Sequence, residues 1–256
     1  MTFVHLVADY GASDPAFSEV VHRLRSHDPE VTVQQTAVPP FSTVATGFWI
    51  EQLGLHNPAF DDLLVYSNTA PRTEAAASER ADEGGQLCYL ELDNDVPVVA
   101  VDAGYNLSFV ADRVREFRTV ETPTTDSQFR SRDVFPNLVV DIARGHTEPL
   151  GPERSTDDLP PKPESVVCHV DGYGNVKTSI RASEFAPDGD EVTIAINDRR
   201  HDVAVEEAVS GVEEGAIALL PGSAGGSDPY LELFLRGGSA AEAFDRPEPG
   251  DAVVVQ

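Results

Sequence analysis

Asp9 is the first residue of this 256-residue chain with a position that suits ligand chemistry. It follows the apolar run FVHLVA, which predicts a buried strand, and open α/β sheets bind ligands at the carboxyl ends of their strands. A carboxylate there can accept hydrogen bonds from both hydroxyls of a ribose. Capping of the following helix explains the same residue equally well.

A second segment with chemical potential is DGYGN, residues 171–175. Asp171 can hold an ammonium group, Tyr173 can stack on a flat base, and Asn175 offers both a donor and an acceptor. Taken alone, the segment is better explained as an ordinary β-turn. The later stretch GGSDPYLELFLRGGSAAEAF is equally open to two interpretations, a turn and strand or a loop that offers backbone amides to a ligand.

Two further segments are rich in polar side chains and have no acid among their central residues. Arg130 and Arg132 flank a serine in SQFRSRD, which makes a candidate anion position, although a surface ion-pair turn is the commoner arrangement. The segment YSNTAPR, residues 66–72, follows an apolar run and has no acid before Glu74. Since the chain is rich in acids, this gap stands out.

The charge balance excludes one class of partner. Forty-four acids against 18 bases give a formal charge of −26, which repels a phosphate backbone and excludes nucleic acid. Every base except Lys162 and Lys177 is arginine. Excess acid with almost no lysine indicates a salt-loving cytoplasm rich in chloride, and an ordinary acidic mesophilic protein is the alternative.

Location and metal content are predicted from what the sequence lacks. The first residues have no basic segment before their apolar run, and no stretch reaches the 18 apolar residues that a membrane helix needs. We therefore predict a soluble cytoplasmic protein without a membrane partner. Cys88 and Cys168 are isolated, which predicts buried reduced thiols and no metal site.

Alternating strand and helix patterns predict the fold of residues 1–150. Strand-like runs such as FVHLVADYG and DDLLVYS alternate with helical spacing in DPAFSEVVHRLRSHDP and TVATGFWIEQLGL. This alternation predicts an α/β amino-terminal domain with a mostly parallel sheet. The motifs GxGxxG, GxxxxGK[ST] and GxSxG are absent, so dinucleotide, P-loop and α/β-hydrolase functions have no motif support.

The second half of the chain has a different pattern. Residues 151–165 are dense in Pro and charge and predict a linker. Residues 166–256 then hold short alternating strands between Gly, Asp and Pro turns. We predict a smaller all-β, barrel-like carboxy-terminal domain.

In order along the chain, five segments together resemble the family of S-adenosylmethionine (SAM) hydroxide adenosyltransferases and SAM-dependent fluorinases and chlorinases. The matching segments are ADYGASD, PPF, FRSRD, YGN and PYLELFLRGGSAA, and they span nearly the whole chain. The resemblance implies cleavage of SAM as substrate, no cofactor and no metal. It also implies a homotrimer with SAM sites between subunits.

The resemblance assigns roles by motif. It places Asp9 on the ribose hydroxyls, Tyr173 against the adenine, and Asp171 and Asn175 at the methionine or adenine portion. Ser227 falls near the methionine carboxylate, where related halogenases carry Arg at the position of Asp228. The other substrate-binding residues that it implies are Trp49 and Tyr230.

The family divides according to the nucleophile that attacks the ribose 5′-carbon. Hydroxide-using members carry an Asp and a His where this chain has Ser67 and Arg130, and neither replacement is a normal general base. Fluorinases instead have a Tyr-x-x-Thr segment and a Phe-x-Ser-Arg segment. The residues that match them, with Arg130 added, form the predicted catalytic set: Tyr66, Thr69, Phe129, Arg130 and Ser131.

This pattern favours a halide, with chloride preferred because it is cheaper to dehydrate than fluoride and abundant in a salty cytoplasm. The first alternative is SAM hydrolysis to adenosine, with water positioned by Asn68, Ser131 or Arg130. The second is a catalytically inactive member that binds SAM or adenosine. The products of SAM cleavage by chloride are 5′-chloro-5′-deoxyadenosine and methionine.

Overall fold

The computed structural model describes residues 2–58, 60–70, 85–125, 127, 129–187 and 189–256. The chain divides into two compact units, Met1–Lys162 and Pro163–Gln256, each with its own hydrophobic core. The first unit is α/β and the second is all-β. The predicted fold class is therefore confirmed.

A seven-stranded mixed sheet forms the centre of the first unit. Its strands are β1 (Phe3–Ala8), β2 (Thr32–Ala37), β3 (Leu63–Asn68), β4 (Leu87–Leu92), β5 (Pro97–Val101), β6 (Val114–Val120) and β7 (Leu150–Glu153). They lie in the order β2-β1-β3-β5-β4-β6-β7. The first four in this order are parallel, and the rest pair in antiparallel fashion. The parallel part is the part that the strand and helix alternation predicts.

Helices cover both faces of this sheet. They are α1 (Pro15–His27), α2 (Thr43–Gly54), the short α3 (Arg130–Asp133) and α4 (Phe135–Ala143). On one face, α1 and α4 share a core with Leu64 and Tyr66 of β3. On the other face, Ile50 of α2 shares a core with Leu63 and Val65. Successive residues of β3 thus point to opposite faces, as strand geometry requires.

Local sequence fixes where α1 begins. The Asp14 side chain accepts a hydrogen bond from the backbone N–H of Ala16 at 2.8 Å. Pro15 occupies the first turn, where its missing N–H costs nothing. The buried residues Phe17, Val20 and Leu24 then recur at helical spacing and face the core.

The segment predicted as a linker, residues 151–165, differs in the structure. Residues 150–153 form β7, which pairs with β6 at the edge of the first sheet. Leu159 is buried in the core below α2. Pro152 can lie in β7 because an edge strand tolerates a residue without an N–H, and the density of Pro and charge in the sequence conceals such a strand.

The second unit is a nearly closed seven-stranded sheet. Its elements are β8 (Val167–Val170), β9 (Val176–Arg181), β10 (Glu191–Ile196), β11 (Arg199–Val205), β12 (Ile217–Pro221), β13 (Tyr230–Leu235), α5 (Ala240–Ala243) and β14 (Val253–Val255). The strand order is β14-β10-β11-β12-β13-β9-β8. A bridge between Val166 and Ala252 brings the two ends of the sheet together. The interior contains Ile194, Leu219 and Phe244.

Across the described residues, none of the helices is both long enough and apolar enough to span a membrane.

Replacing Asp14 by Ala is expected to lower the free energy of unfolding by about 1 kcal/mol, because the first turn of α1 loses its capping acceptor. Urea unfolding followed by circular dichroism measures this change. The exposed residue Glu30, just beyond the helix, provides the control variant Glu30→Ala, which should stay within about 0.5 kcal/mol of the wild type. Equal midpoints for the two variants would show that the cap contributes nothing.

Candidate functional site

The carboxyl ends of β1 and β3 lie side by side at one edge of the first sheet and form the candidate ligand site of this unit. β1 pairs with β2 on one side and with β3 on the other, and the helices that follow β1 and β2 lie on opposite faces. This is the topological switch point at which doubly wound sheets bind ligands. The backbone N–H of Asp9 donates to the Asn68 carbonyl at 3.3 Å and joins the two strand ends.

The Asp9 carboxylate is oriented by two backbone amides. Its Oδ2 accepts from the N–H of Phe41 at 3.0 Å and from the N–H of Ala70 at 3.1 Å. Oδ1 has no hydrogen-bond partner among the described residues, which leaves an acceptor for a ligand hydroxyl. Asp14 is the residue that caps the amino terminus of α1, so helix capping does not account for the presence of an acid at Asp9.

The PPF segment takes a strained conformation next to Asp9. Phe41 has φ of 63°, in the left-handed region that residues with a side chain seldom adopt. This conformation lets its N–H point at the Asp9 carboxylate. Strain of this kind is characteristic of ligand sites.

A cluster of neutral polar side chains lies beside Asp9, and we call it the Tyr10 cluster: Tyr10, Asn68, Ser131 and Tyr66. The Asn68 side-chain amide donates to the Tyr10 hydroxyl at 2.9 Å, and the Ser131 side chain lies close enough to Tyr10 to affect its pKa. The Tyr66 hydroxyl donates to the Ser131 carbonyl at 3.3 Å. Tyr66 and Ser131 therefore come together as predicted members of one site, and Tyr10 and Asn68 join them.

Burial determines the protonation state of this cluster. It raises the pKa of Tyr10 to about 12, although the nearby Ser131 side chain acts in the opposite direction. Burial also raises the pKa of Tyr66 well above its ordinary value. Both phenols are protonated at neutral pH and cannot act as bases there.

Thr69 lies on the other face of the sheet, away from the Tyr10 cluster. Its hydroxyl is 2.7 Å from the hydroxyl of Thr46 in α2, and Thr46 also donates to the Ser42 carbonyl. Because Thr46 has one proton and gives it to Ser42, Thr69 must be the donor in the threonine pair. The hydroxyl proton of Thr69 is therefore used within the protein.

Ser67 is also turned away from the cluster. Because side chains alternate along β3, Ser67 points toward α2. It is fully buried, and its hydroxyl has no hydrogen-bond partner among the described residues. Asn68, one residue later, faces the cluster instead. The family resemblance aligns Ser67 with the catalytic acid of hydroxide-using members, whereas the structure brings the next residue, Asn68, to the Tyr10 cluster.

The FRSRD segment divides its side chains among different partners. Phe129 is 59% exposed and lies under the Arg132 guanidinium at 5.0 Å. Arg132 pairs with Asp133 and Glu19, so it behaves as part of a surface ion-pair turn. Arg130 donates to the Gly85 carbonyl at 3.0 Å and packs over a phenylalanine ring. Of this segment, only Ser131 is a member of the Tyr10 cluster, and its carbonyl accepts the hydrogen bond from Tyr66.

Trp49 of α2 packs on the face of the sheet opposite the Tyr10 cluster. It is half-buried against Val7, Val38 and Ala45. The structure therefore gives Trp49 a packing role in the first unit and leaves its predicted contact with SAM as a prediction.

In the second unit, Asp171 organises the turn between β8 and β9. Its Oδ1 accepts from the backbone N–H groups of Tyr173 at 2.9 Å and Asn175 at 3.1 Å. Its Oδ2 accepts from the Asn175 side chain at 3.0 Å. The Tyr173 ring is 85% exposed and so presents a flat face for stacking.

The other predicted residues of the second unit lie in the loop between β12 and β13 and at the first position of β13. Ser227 is exposed on this loop, and Tyr230 is buried beneath the Arg181 guanidinium at 3.8 Å. The Asp228 carboxylate accepts from the backbone N–H and the hydroxyl of Ser183 at 3.1 and 2.8 Å. These bonds direct both oxygens of the Asp228 carboxylate toward Ser183.

The cysteines and acids of the described residues do not form a metal centre. Groups of three His, Cys, Asp or Glu residues suited to a metal do not occur among them. Cys88 and Cys168 are both buried and neither forms a disulfide, as predicted. Burial raises the pKa of Cys88 to about 11, which keeps it a protonated thiol.

The chain thus combines an α/β unit with a small β-barrel-like unit, and each contains a candidate ligand site. Residues 165–254 match the family model described as SAM hydroxide adenosyltransferase C-terminal domain. The carboxy-terminal unit belongs to that domain family, which confirms the resemblance seen in the sequence. The match supports a SAM-cleaving adenosyltransferase.

Solved structures support the fold over the whole chain. An uncharacterized conserved protein from Thermotoga maritima is similar with a TM-score of 0.78 and 20% identity, over 99% of this chain and 100% of that one. A conserved hypothetical protein from Thermus thermophilus is similar with a TM-score of 0.69 and 24% identity, over 100% of both chains. No curated protein matches the chain.

The Asp171 turn predicts a pH effect on stability. Burial by itself raises the pKa of Asp171, but hydrogen bonds from Asn175 and Tyr173 outweigh it and leave the pKa below its ordinary value. A lowered pKa in the folded state contributes stability above the unfolded-state pKa, about 4, and this contribution is lost as the pH falls through the folded-state value.

We therefore expect the difference in unfolding free energy between wild type and Asp171→Asn to shrink as the pH falls from about 6 to about 2. Urea unfolding at a series of pH values measures it. A constant difference over this range would contradict the lowered pKa. The variant Asp251→Asn, altered at another acid of the second unit, is the control.

Proposed function

We propose that this protein cleaves SAM by attack of a halide, chloride, on the ribose 5′-carbon. A chloride lone pair forms the C5′–Cl bond while the C5′–S bond breaks, and the bonding electron pair returns to sulfur. The positively charged sulfonium becomes neutral methionine, so the leaving group needs no proton. What the protein must supply is a partly dehydrated nucleophile aligned with the C–S bond.

The observation that carries this proposal is the neutral character of the Tyr10 cluster. Amide, phenol and hydroxyl groups meet there, and the raised pKa of Tyr10 keeps it a protonated donor at neutral pH. Such a cluster can replace part of the water shell of an anion, but it cannot take a proton from water. Chloride needs no deprotonation, whereas water does.

Asp9 is the substrate-binding residue in this proposal. Two amides hold one oxygen of its carboxylate, and the other oxygen remains available at the carboxyl edge of the sheet. A fixed carboxylate of this kind suits the paired hydroxyls of a ribose. Asp171, Tyr173 and Asn175 provide the corresponding groups of the second unit, and a homotrimer remains a prediction.

A specific observation also supports hydroxide as the nucleophile. Because Asn68 donates through its amide nitrogen to Tyr10, its carbonyl oxygen is left to accept a hydrogen bond from a water. Water held in this way forms the C5′–O bond as the C5′–S bond breaks and its electron pair returns to sulfur, and the proton of the attacking water then passes to solvent. No strong base is needed, since the sulfonium is already activated. This second candidate gives adenosine.

The nature of the product separates the two candidates. We expect SAM incubated with the protein in potassium chloride to yield 5′-chloro-5′-deoxyadenosine, and the same incubation in potassium sulfate of equal ionic strength to yield none. Mass spectrometry identifies the nucleoside, and water labelled with ¹⁸O marks any adenosine that the protein forms. Labelled adenosine in both salts would favour hydrolysis, and bound but intact SAM would indicate an inactive binder.

The variant Asp9→Ala is expected to weaken SAM binding by about 10- to 100-fold, because the ribose loses an oriented charged acceptor worth roughly 1.5–3 kcal/mol. Isothermal titration calorimetry with SAM measures the dissociation constant. Asp14→Ala removes a nearby acid that caps α1, and should leave the constant unchanged. If Asp9→Ala bound SAM as tightly as Asp14→Ala, the ribose role of Asp9 would be refuted.

A further inference from the structure

Lys177 is a buried charge in the second unit that the proposed chemistry does not use. It is the second residue of β9, which lies between β8 and β13, and it stands opposite His169 on one side and Glu232 on the other. Lys177 is 8% exposed and Glu232 is 6% exposed. Burial of charges is costly unless they are paired, so an apolar residue would be the simpler choice at this position.

The Lys177 ammonium contacts three groups that belong to different parts of the unit. It pairs with the Glu232 carboxylate of β13. It donates to the Ser223 hydroxyl at 3.2 Å, at the start of the loop between β12 and β13. It also lies 3.7 Å from Oδ2 of Asp171, in the turn between β8 and β9.

These contacts connect the two loops that carry the candidate ligand residues of this unit. Asp171 fixes the turn that presents Tyr173, and Ser223 begins the loop that contains Ser227. The Lys177 ammonium donates a charge-assisted hydrogen bond to Ser223 in one loop and lies close to the Asp171 carboxylate in the other. The same nitrogen therefore contacts both loops. Loss of the Lys177 ammonium would therefore remove the contact that fixes the positions of the two loops relative to each other.

The amino acid at this position is informative as well. The chain uses arginine for every base except Lys162 and Lys177. An ammonium is a compact point charge with three donors, which fits three partners in different directions, whereas a planar guanidinium does not. Gly222 confirms the tight packing, since a Cβ at that position would lie 2.8 Å from the Glu232 carboxylate.

We propose that Lys177 is a positioning residue that holds the Asp171 turn and the Ser223 loop in the arrangement that binds SAM. This inference rests on the proposed function for the identity of the ligand. Its structural part, the link between the two loops, can be measured without any ligand.

The test uses the full chain with both partners of the buried pair replaced, Lys177→Met with Glu232→Met. Removal of Lys177 alone would leave a buried unpaired carboxylate and could unfold the protein, whereas removal of the pair avoids that cost. The variant Glu232→Gln keeps the ammonium with Asp171 and Ser223 and is the matched control. Lys162→Met controls for loss of a lysine elsewhere.

The first measurement is amide hydrogen exchange by NMR without SAM. The N–H groups of Tyr173 and Asn175 donate to Asp171, so we expect them to exchange at least about tenfold faster in the double variant, as their turn opens more often. Both control variants should exchange as the wild type does. Unchanged exchange in a folded double variant would overturn the positioning role.

The second measurement is the kinetics of SAM cleavage. We expect the double variant to raise KM for SAM about tenfold with kcat within about twofold, the pattern of lost binding that is equal in ground and transition states. An unchanged KM, or an equal rise in Glu232→Gln, would refute the proposal. If the wild type neither binds nor cleaves SAM, the proposed function fails, and hydrogen exchange alone then decides whether Lys177 positions the loops.

Discussion

The alternation of side chains along β3 is the constraint on which the candidate site depends. This strand is buried on both faces between α1 and α4 on one side and α2 on the other. Tyr66 and Asn68 must therefore share one face, and Ser67 and Thr69 must share the opposite face. A shift of one residue would exchange the two sets and bury a different pair of polar groups.

This constraint determines which protons remain for a ligand. On the α2 face, the Thr69 hydroxyl donates a hydrogen bond to the Thr46 hydroxyl, and Thr46 donates to the Ser42 carbonyl. On the other face, Tyr66 donates to a backbone carbonyl and Asn68 donates to Tyr10. The hydroxyl protons of Tyr66 and Thr69 are thus used within the protein, and one oxygen of the Asp9 carboxylate keeps its capacity to accept a hydrogen bond.

The sequence predicts the fold class because periodicity reports burial directly. The strand before Asp9 and the helix spacing of Phe17, Val20 and Leu24 were both predictable and are both present. The strands β6 and β7 were not, because charged residues and a proline at a sheet edge interrupt the apolar pattern. Edge elements carry little core pattern, so composition alone assigned part of them to a linker.

For the site, the sequence identified the segments but not their partners. Asp9 and Ser131 could be chosen from residue type and position, whereas Tyr10 had no signal of its own. Its role appears only when β1 and β3 lie side by side and bring Asn68 within 2.9 Å of its hydroxyl. The period-2 rule applied to YSNT would have separated Asn68 from Ser67, and this signal was present in the sequence.

Ion pairs at the surface of this protein and ion pairs in its interior respond differently to salt. The chain has 44 acids and 18 bases in all, and its exposed ion pairs, such as Arg199 with Asp245, are easily screened by salt. Inside the second unit, Lys177 and Glu232 are shielded from that screening by burial. A buried pair keeps its geometry across salt concentrations, because the ions that weaken surface pairs do not reach it. If the protein works in concentrated chloride, a link between ligand loops is best built from such a pair, and the surface is free to remain acidic.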